Sequence, residues 1–124
     1  MKKELCDNSS LGAVHVLENA WSQSDIRACA RLCLSEIKER HPGKTVEVRI
    51  PYCGAIQCVQ GSAHRRGTPP HVVEMSAVTF LALCLGELPW EQGIEEGVVM
   101  ASGTKADISD FFPLFSSHVL EKAI

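Results

Sequence analysis

The 124-residue sequence contains no long hydrophobic run. No stretch approaches the roughly 18–20 apolar residues that a membrane-spanning helix needs, and the first ten residues, MKKELCDNSS, lack the apolar segment of a signal peptide. These absences argue against an integral membrane segment and predict a cytoplasmic location. The length suits one domain with one core, and no linker divides the chain, so we expect a single domain over residues 1–124.

The sequence also lacks an excess of positive charge. Its formal net charge is −3 at pH 7, whereas a general nucleic-acid-binding protein presents a basic face to the phosphates. Basic residues cluster at His64-Arg65-Arg66, which is a small patch and not a stripe. Nucleic acid is therefore not an expected partner.

None of the six cysteines belongs to a Cys-x-x-Cys pair. In a reducing compartment such thiols stay free, so we expect six reduced, mostly buried cysteines. Two alternatives stay open: a zinc site built from Cys29, Cys33 and a histidine, and a reactive thiol at Cys53 beside Gly54. The residues next to these cysteines in the sequence supply neither a further metal ligand nor a base. We therefore expect no metal and no cofactor.

Catalytic signatures are missing as well. The sequence has no glycine-rich dinucleotide or phosphate loop, no nucleophile elbow and no His-Glu-x-x-His motif. Glu91, Glu95 and Glu96 are most simply the solvated face of a helix. These features predict a binding protein without chemistry of its own.

Helical periodicity is present in two N-terminal segments. The segment LGAVHVLENAW (11–21) predicts a short helix, and Ser22 and Ser24 then offer helix N-caps. Residues 25–40 predict the clearest amphipathic helix, which His41-Pro42-Gly43 ends. Its apolar stripe consists of Ile26, Ala30, Cys33, Leu34 and Ile37.

The pattern then changes to the period of a strand. KTVEVRIP and AIQCVQG alternate apolar and polar residues on either side of a glycine turn, which predicts an antiparallel hairpin. Short strands are also expected at 71–75 and 98–103, a short helix with Pro89 at its first position, and a last helix in TKADISDFFPLF that Pro113 bends or ends. This order predicts an α+β fold, with a mostly antiparallel sheet covered by helices on one face.

The segment AVTFLALCLG (77–86) predicts a helix that is apolar on all sides, because Thr79 is its only polar side chain. Such a helix must be covered everywhere, and one sheet covers one of its faces. The remaining cover is another part of the chain, a second subunit or a bound apolar ligand.

The loop GSAHRRGTPPHVVEM (61–75) combines stiff and cationic residues. Pro69 and Pro70 fix the backbone after Gly67, which predicts a rigid corner that leads into the strand at 71–75. The arginines have two alternative roles: a structural ion pair with Glu74 or a helix C-terminus, or an anion-binding site for a carboxylate or phosphate.

Four segments carry a resemblance to a known family: HPGKTVEVRIP, GAIQCVQG with HRRGTPPHVVEM, FLALCLGELPWEQGIEEGVV, and ASGTKADISDFFPLF. In this order they resemble the bacterial branch of the sterol carrier protein family. With the helix at 25–40, the resemblance covers a core of residues 25–115. Residues 1–20 match nothing in the family pattern, and His71 stands where asparagine is expected.

The resemblance implies a five-stranded sheet with helices over one face and an apolar tunnel between them. The tunnel would hold a fatty acyl chain, a sterol or a similar lipid. In the anion-binding alternative for the loop, His64, Arg66 and Thr68 would lie at its mouth. The family resemblance also implies an alternative, an accessory domain or subunit of a thiol-dependent enzyme resembling maleylpyruvate isomerase. The apolar helix leaves another open, a domain that dimerises through that helix. The expected tunnel walls are Val48, Ile56, Phe80, Leu83, Trp90, Met100, Phe111, Phe112 and Phe115.

Overall fold

The computed structural model describes residues 21–61 and 71–115. Within these ranges the fold is α+β, with three α-helices, four strands and one 3₁₀ turn. In chain order they are helix α1 (Gln23–Arg40), strands β1 (Val46–Ile50), β2 (Gly54–Cys58) and β3 (His71–Glu74), helices α2 (Ala77–Leu85) and α3 (Trp90–Glu95), strand β4 (Met100–Ser102) and the 3₁₀ turn Ser109–Phe111.

The sheet is mixed, in the order β2-β1-β3-β4. The predicted hairpin is confirmed, because β1 pairs antiparallel with β2 in a register that places Val48 opposite Ile56. The central pair, β1 with β3, is parallel, and β4 then pairs antiparallel with β3. The prediction of five strands is therefore not met within the described ranges, which contain four. Alternation along a strand shows which side chains are buried, but not the direction of the neighbouring strand.

The alternation predicted for β1 is confirmed. Val46, Val48 and Ile50 are buried against the helices. On the opposite face, Arg49 Nε lies 3.2 Å from Glu47 Oε2 in an exposed salt bridge. At the start of β3, His71 Nδ1 accepts a hydrogen bond from the backbone N–H of Lys105 at 3.2 Å. The side-chain oxygen of an asparagine would accept such a bond as well. His71 therefore supplies a hydrogen-bond acceptor at the position where asparagine is expected.

Helix α1 forms as its apolar stripe predicts. All five stripe residues are buried, and Ser22 is the N-cap, with its Oγ accepting a hydrogen bond from the backbone N–H of Asp25 at 3.1 Å. The helix ends at Arg40, two residues before Pro42. The buried stripe packs α1 against α2 and β2.

Helix α2 is buried on all sides, as its composition requires. Ser76 caps its start by accepting from the backbone N–H of Thr79 at 3.2 Å, and Gly86 ends it in the left-handed region at φ 80°. The covering elements include α1 and the segment after the 3₁₀ turn, where the backbone N–H of Leu114 donates to the Cys84 carbonyl at 2.8 Å. Most of the cover for this helix therefore comes from the chain itself.

The expected last helix is reduced to a single 3₁₀ turn, which corrects that prediction. Asp107 Oδ1 accepts from the backbone N–H of Ser109 at 3.0 Å and starts the turn. Phe112 is already extended (φ −113°, ψ 144°) and is joined to Pro113 by a cis peptide bond. The residue before a proline avoids the helical region of backbone conformation. The 3₁₀ turn therefore does not continue into Phe112 as a helix.

Two further expectations lie outside the described residues. These are the helix at 11–21, of which the structure describes only Trp21, in a bend, and the course of the loop at 62–70, which includes His64, Arg66 and Thr68. The thiol of Cys6 also lies there.

Candidate functional site

A cavity of about 370 Å³ lies between the end of α2, the start of α3 and the segment after the 3₁₀ turn. We call it the aromatic cleft, and it is partly open to the surface. Ten residues line it: Leu83, Gly86, Leu88, Pro89, Trp90, Glu91, Ser109, Asp110, Phe112 and Pro113.

Two aromatic rings, Trp90 and Phe112, form one wall of the aromatic cleft, and a third, Phe80, supports that wall. The Trp90 and Phe112 rings lie nearly parallel, with an interplanar angle of 13° and centroids 6.0 Å apart. Phe80, which is fully buried, meets Phe112 edge to face with centroids 6.3 Å apart. Both geometries are favourable for aromatic pairs. Phe80 therefore supports the ring of Phe112 from the core side.

Backbone features fix the positions of these rings. Pro89 is the N-cap of α3, which makes Trp90 the first residue of that helix. Gly93 lets α3 approach Val99, the residue before β4, because a Cβ atom there would lie 2.7 Å from Val99 Cγ2. The left-handed turn at Gly86 brings the backbone next to Pro113. The backbone around the cleft therefore depends on Gly86, Pro89 and Gly93, which few other residue types could replace.

The structure brings three of the nine expected tunnel residues together in the aromatic cleft: Leu83, Trp90 and Phe112. Val48 and Phe80 are fully buried in the core, and Ile56 is half-buried beside it. The remaining three, Phe111, Phe115 and Met100, do not line the aromatic cleft, although the Phe111 ring lies 6.3 Å from that of Phe112.

Phe111 and Phe115 pack around the end of α1. The Phe111 ring stacks on His41 with centroids 4.0 Å apart. Arg40 lies over the Phe115 ring at 5.5 Å and donates from Nη1 to the Leu114 carbonyl at 3.2 Å. Met100 is 68 % exposed on β4, at the edge of two other clefts.

A second cleft, of about 450 Å³, lies between the start of α1, the β1–β2 turn and the start of α2. Arg27 lies over the ring of Tyr52 at 5.5 Å, and this ring is 88 % exposed. A third cleft, of about 420 Å³, lies beside β4 near Ile94. Sequence reasoning missed Arg27 and Tyr52, because a helix and a turn 25 residues apart share no periodic signal. The three described cavities are open clefts, so the tunnel stays a proposal.

The described cysteines are free, and their surroundings shift the pKa of several of them. Burial raises the pKa of Cys58 to about 11 and raises the pKa of Cys84 well above its ordinary value. A hydrogen bond with Cys84 lowers the pKa of Cys33. Among residues 21–61 and 71–115, no group of three His, Cys, Asp or Glu side chains is placed to hold a metal ion. The five free thiols are Cys29, Cys33, Cys53, Cys58 and Cys84.

We expect Cys58 to resist alkylation in the folded protein. With a pKa of about 11, only about one Cys58 thiol in a thousand is ionised at pH 8, and the thiolate is the reacting form. Iodoacetamide at pH 8 should therefore modify Cys53, in the β1–β2 turn, long before Cys58, and the Cys58 rate should rise as the pH approaches 11. Peptide mass spectrometry follows each site. In denaturant without reductant all six cysteines should react; two or more unmodified cysteines would reveal a disulfide, and rapid labelling of native Cys58 would contradict its burial.

A comparison with known families identifies the family of the chain. The model of the bacterial SCP (sterol carrier protein) ortholog family matches residues 22–114, which is well over half of the chain. The chain therefore belongs to the bacterial sterol carrier protein-like family. A search of curated proteins finds no match.

The described helices also bear on membrane insertion. None of the helices within residues 21–61 and 71–115 combines the length and the apolar character that crossing a bilayer demands.

Proposed function

We propose that this protein binds the apolar chain of a lipid, such as a fatty acyl chain or a sterol, and carries it without chemistry of its own. Membership of the bacterial sterol carrier protein-like family supports a lipid-carrier type of domain. The single observation that carries the proposal is the aromatic cleft, where Leu83, Trp90 and Phe112 surround about 370 Å³ of open volume.

The size and lining of the aromatic cleft suit such a ligand. Small-molecule sites range from about 300 to 1,000 Å³ and are mostly apolar with a few polar groups. Leu83, Leu88 and Trp90 line the cavity and are themselves at most 7 % exposed. Each methylene that leaves water contributes about 0.8 kcal/mol, so roughly ten buried methylenes are needed for micromolar affinity before the cost of immobilisation.

Bound ligand and binding partners are distinguished by native mass spectrometry of gently purified protein. A co-purifying lipid supports the carrier proposal. A dimer without lipid supports the interaction domain, and a co-purifying enzyme supports the accessory subunit. Either of these last two results would replace the carrier proposal.

We expect Trp90→Ala to weaken binding of a fluorescent fatty alcohol about 5- to 20-fold, since the loss of one ring wall costs about 1–2 kcal/mol. The matched control is Met100→Ala, which removes an apolar side chain from the two other clefts. It should leave the affinity within about twofold, because ordinary surface changes contribute little. Fluorescence titration measures both, and melting temperatures show that both variants fold.

The reverse pattern would place the ligand elsewhere. If Met100→Ala weakens binding and Trp90→Ala does not, the lipid occupies the clefts beside β4. If no fatty alcohol, fatty acid or sterol binds the wild-type protein, the carrier proposal is wrong.

A further inference from the structure

Two large apolar side chains are exposed around the second cleft, the cavity of about 450 Å³ between the start of α1, the β1–β2 turn and the start of α2. Tyr52 is 88 % exposed and Met100 is 68 % exposed, and both line it. Ala77, also in the lining, is half-buried, whereas the rest of α2 is buried. Exposed apolar side chains that gather around one cavity are typical of a surface that another segment or molecule covers.

Tyr52 has a backbone conformation that favours smaller residues. The backbone N–H of Cys53 donates to the Ile50 carbonyl at 2.9 Å, which closes a turn with Tyr52 at its third position. Its φ is 69°, and a positive φ at this position of a turn favours glycine or asparagine. Arg27 lies over the ring at 5.5 Å, and Tyr52 is exposed nevertheless. A large aromatic side chain held outwards in this way indicates a contact with something beyond the described residues.

We infer that residues 11–20 of the same chain dock in the second cleft. The sequence predicts a helix there, and its apolar stripe includes Leu11, Val14 and Leu17. These three side chains supply the apolar contacts that the exposed lining of the cleft lacks. The inference concerns a different cavity from the aromatic cleft, so it does not depend on the proposed binding of a lipid.

Residues 11–20 join the described fold beside the second cleft. Trp21, the last member of the same apolar stripe, is partly buried and packs against the core. Gln23, two residues further on, is the first residue of α1 and lines the cleft, as does Ile26 one turn later. Ten helical residues extend about 15 Å. The whole segment therefore lies within reach of the cleft.

The segment 62–70 joins the fold at the opposite end of the sheet. On one side of it Gly61 lies against Thr45, and on the other side His71 pairs with Val46 at the start of β1. The length of β1, roughly 16 Å, separates this end from the second cleft. A loop of nine residues would need nearly its full extended length to reach the cleft and return.

The segment 116–124 joins the fold at the far end of α1. Arg40, the last residue of this helix, lies over the ring of Phe115 at 5.5 Å. Gln23 is at the other end of the helix, roughly 25 Å away for a helix of this length. Of the segments outside the described residues, the one that precedes Trp21 is therefore the one that meets the fold at the second cleft.

Hydroxyl-radical footprinting of the full-length chain measures how well the second cleft is covered, with peptide mass spectrometry following oxidation at Tyr52 and Met100. The double variant Val14→Gln with Leu17→Gln removes apolar contacts and keeps residues that favour a helix. We expect Tyr52 and Met100 to be oxidised at least about threefold faster in this variant than in the wild type, because loss of docking exposes both side chains. Leu32, which is 70 % exposed on α1, should react at the same rate in both proteins.

The matched control is the double variant Val16→Gln with Ala20→Gln. In the predicted helix these two positions lie away from the apolar stripe. The control adds the same two glutamines to the same segment, so it should leave the oxidation rates of Tyr52 and Met100 close to those of the wild type.

Photo-crosslinking locates the segment directly and does not depend on the stability of the glutamine variants. The photoreactive amino acid p-benzoylphenylalanine replaces Leu17 in the full-length chain. Irradiation in dilute solution should attach this position to residues that line the second cleft, such as Tyr52 or Met100, within one chain. A denaturing gel shows whether one or two chains are joined, and peptide mass spectrometry identifies the attached residue.

Three results would overturn the inference. Equal oxidation of Met100 in the wild type and in the Val14→Gln, Leu17→Gln variant would show that residues 11–20 do not cover the second cleft. Cross-links from position 17 that miss this cleft would place the segment elsewhere. Cross-links between two chains would make a second copy the occupant. None of these results bears on the aromatic cleft, so the proposed function would stand or fall by its own experiments.

Discussion

The variant Phe80→Ala should lower the free energy of unfolding by about 3–5 kcal/mol. Phe80 is 0 % exposed and is among the largest fully buried side chains of the described core. It lies in the middle of α2, which is enclosed on all sides, so the neighbours have little freedom to fill the space left by the ring. Urea unfolding followed by far-UV circular dichroism measures the change.

The control for Phe80→Ala is Leu32→Ala. Leu32 lies on α1 and is 70 % exposed, so its truncation should change the free energy of unfolding by less than about 0.5 kcal/mol. Phe80→Asp should prevent folding altogether, because the carboxylate would be buried without a partner. A similar, small loss for Phe80→Ala and Leu32→Ala would show that α2 is not enclosed as described.

The same truncation should affect the aromatic cleft. Phe80 supports the ring of Phe112 edge to face, and Phe112 stacks on Trp90. Removing that support should weaken binding of a fatty alcohol in a variant that still folds. A double-mutant cycle of Phe80→Ala and Phe112→Ala, measured as free energies of unfolding, isolates the interaction energy between the two rings. For such aromatic pairs this energy is about 0.5–1.5 kcal/mol.

The parts of the fold that depend on local periodicity are the parts that the sequence predicts well. The apolar stripe of α1, the alternation of β1 and the caps of α2 are each specified by residues within a few positions of one another. The family resemblance agrees with the match over residues 22–114.

Features that depend on distant contacts were harder to predict. The parallel pairing of β1 with β3 follows from how the chain crosses the sheet, and no local pattern encodes it. Apolar residues after Lys105 predict a helix, but Phe112 before Pro113 stays extended and the helix does not form. Local backbone restrictions therefore override hydrophobic periodicity at this position.

The candidate site shows the same division. Apolar character marks Leu83, Trp90 and Phe112, which the fold brings into the lining of one cleft, but it also marks Phe111, which stacks on His41 and does not line that cleft. Glu91 and Asp110 carry no apolar signal, and only the fold places them in the lining of one cavity. The charge of a cleft depends on tertiary structure, whereas its apolar lining is partly predictable from the sequence.

The variant Gly43→Ala should cost roughly 4 kcal/mol of unfolding free energy or prevent folding, which places it among the most damaging single substitutions. Gly43 has φ 150°, and a Cβ atom there would lie 2.0 Å from the Val59 carbonyl oxygen and 2.2 Å from its carbonyl carbon. These are backbone atoms, so no side-chain rotation relieves the overlap. The segment is held from both sides, because the backbone N–H of Val59 donates to the His41 carbonyl at 2.8 Å and that of Thr45 donates to the Cys58 carbonyl at 3.1 Å.

Gly97→Ala separates this close approach from the conformational cost of replacing a glycine. Gly97 also has a positive φ, 77°, but nothing lies within 4 Å of an added Cβ atom. Its replacement should cost only about 1–2 kcal/mol, the ordinary penalty for a side chain in the left-handed region. Chemical denaturation of both variants gives the comparison. Because Gly43 links α1 to β1 directly beside the end of the hairpin, equal losses at the two positions would mean that the turn after α1 does not press against Val59, and the path from α1 into the sheet would have to be redrawn.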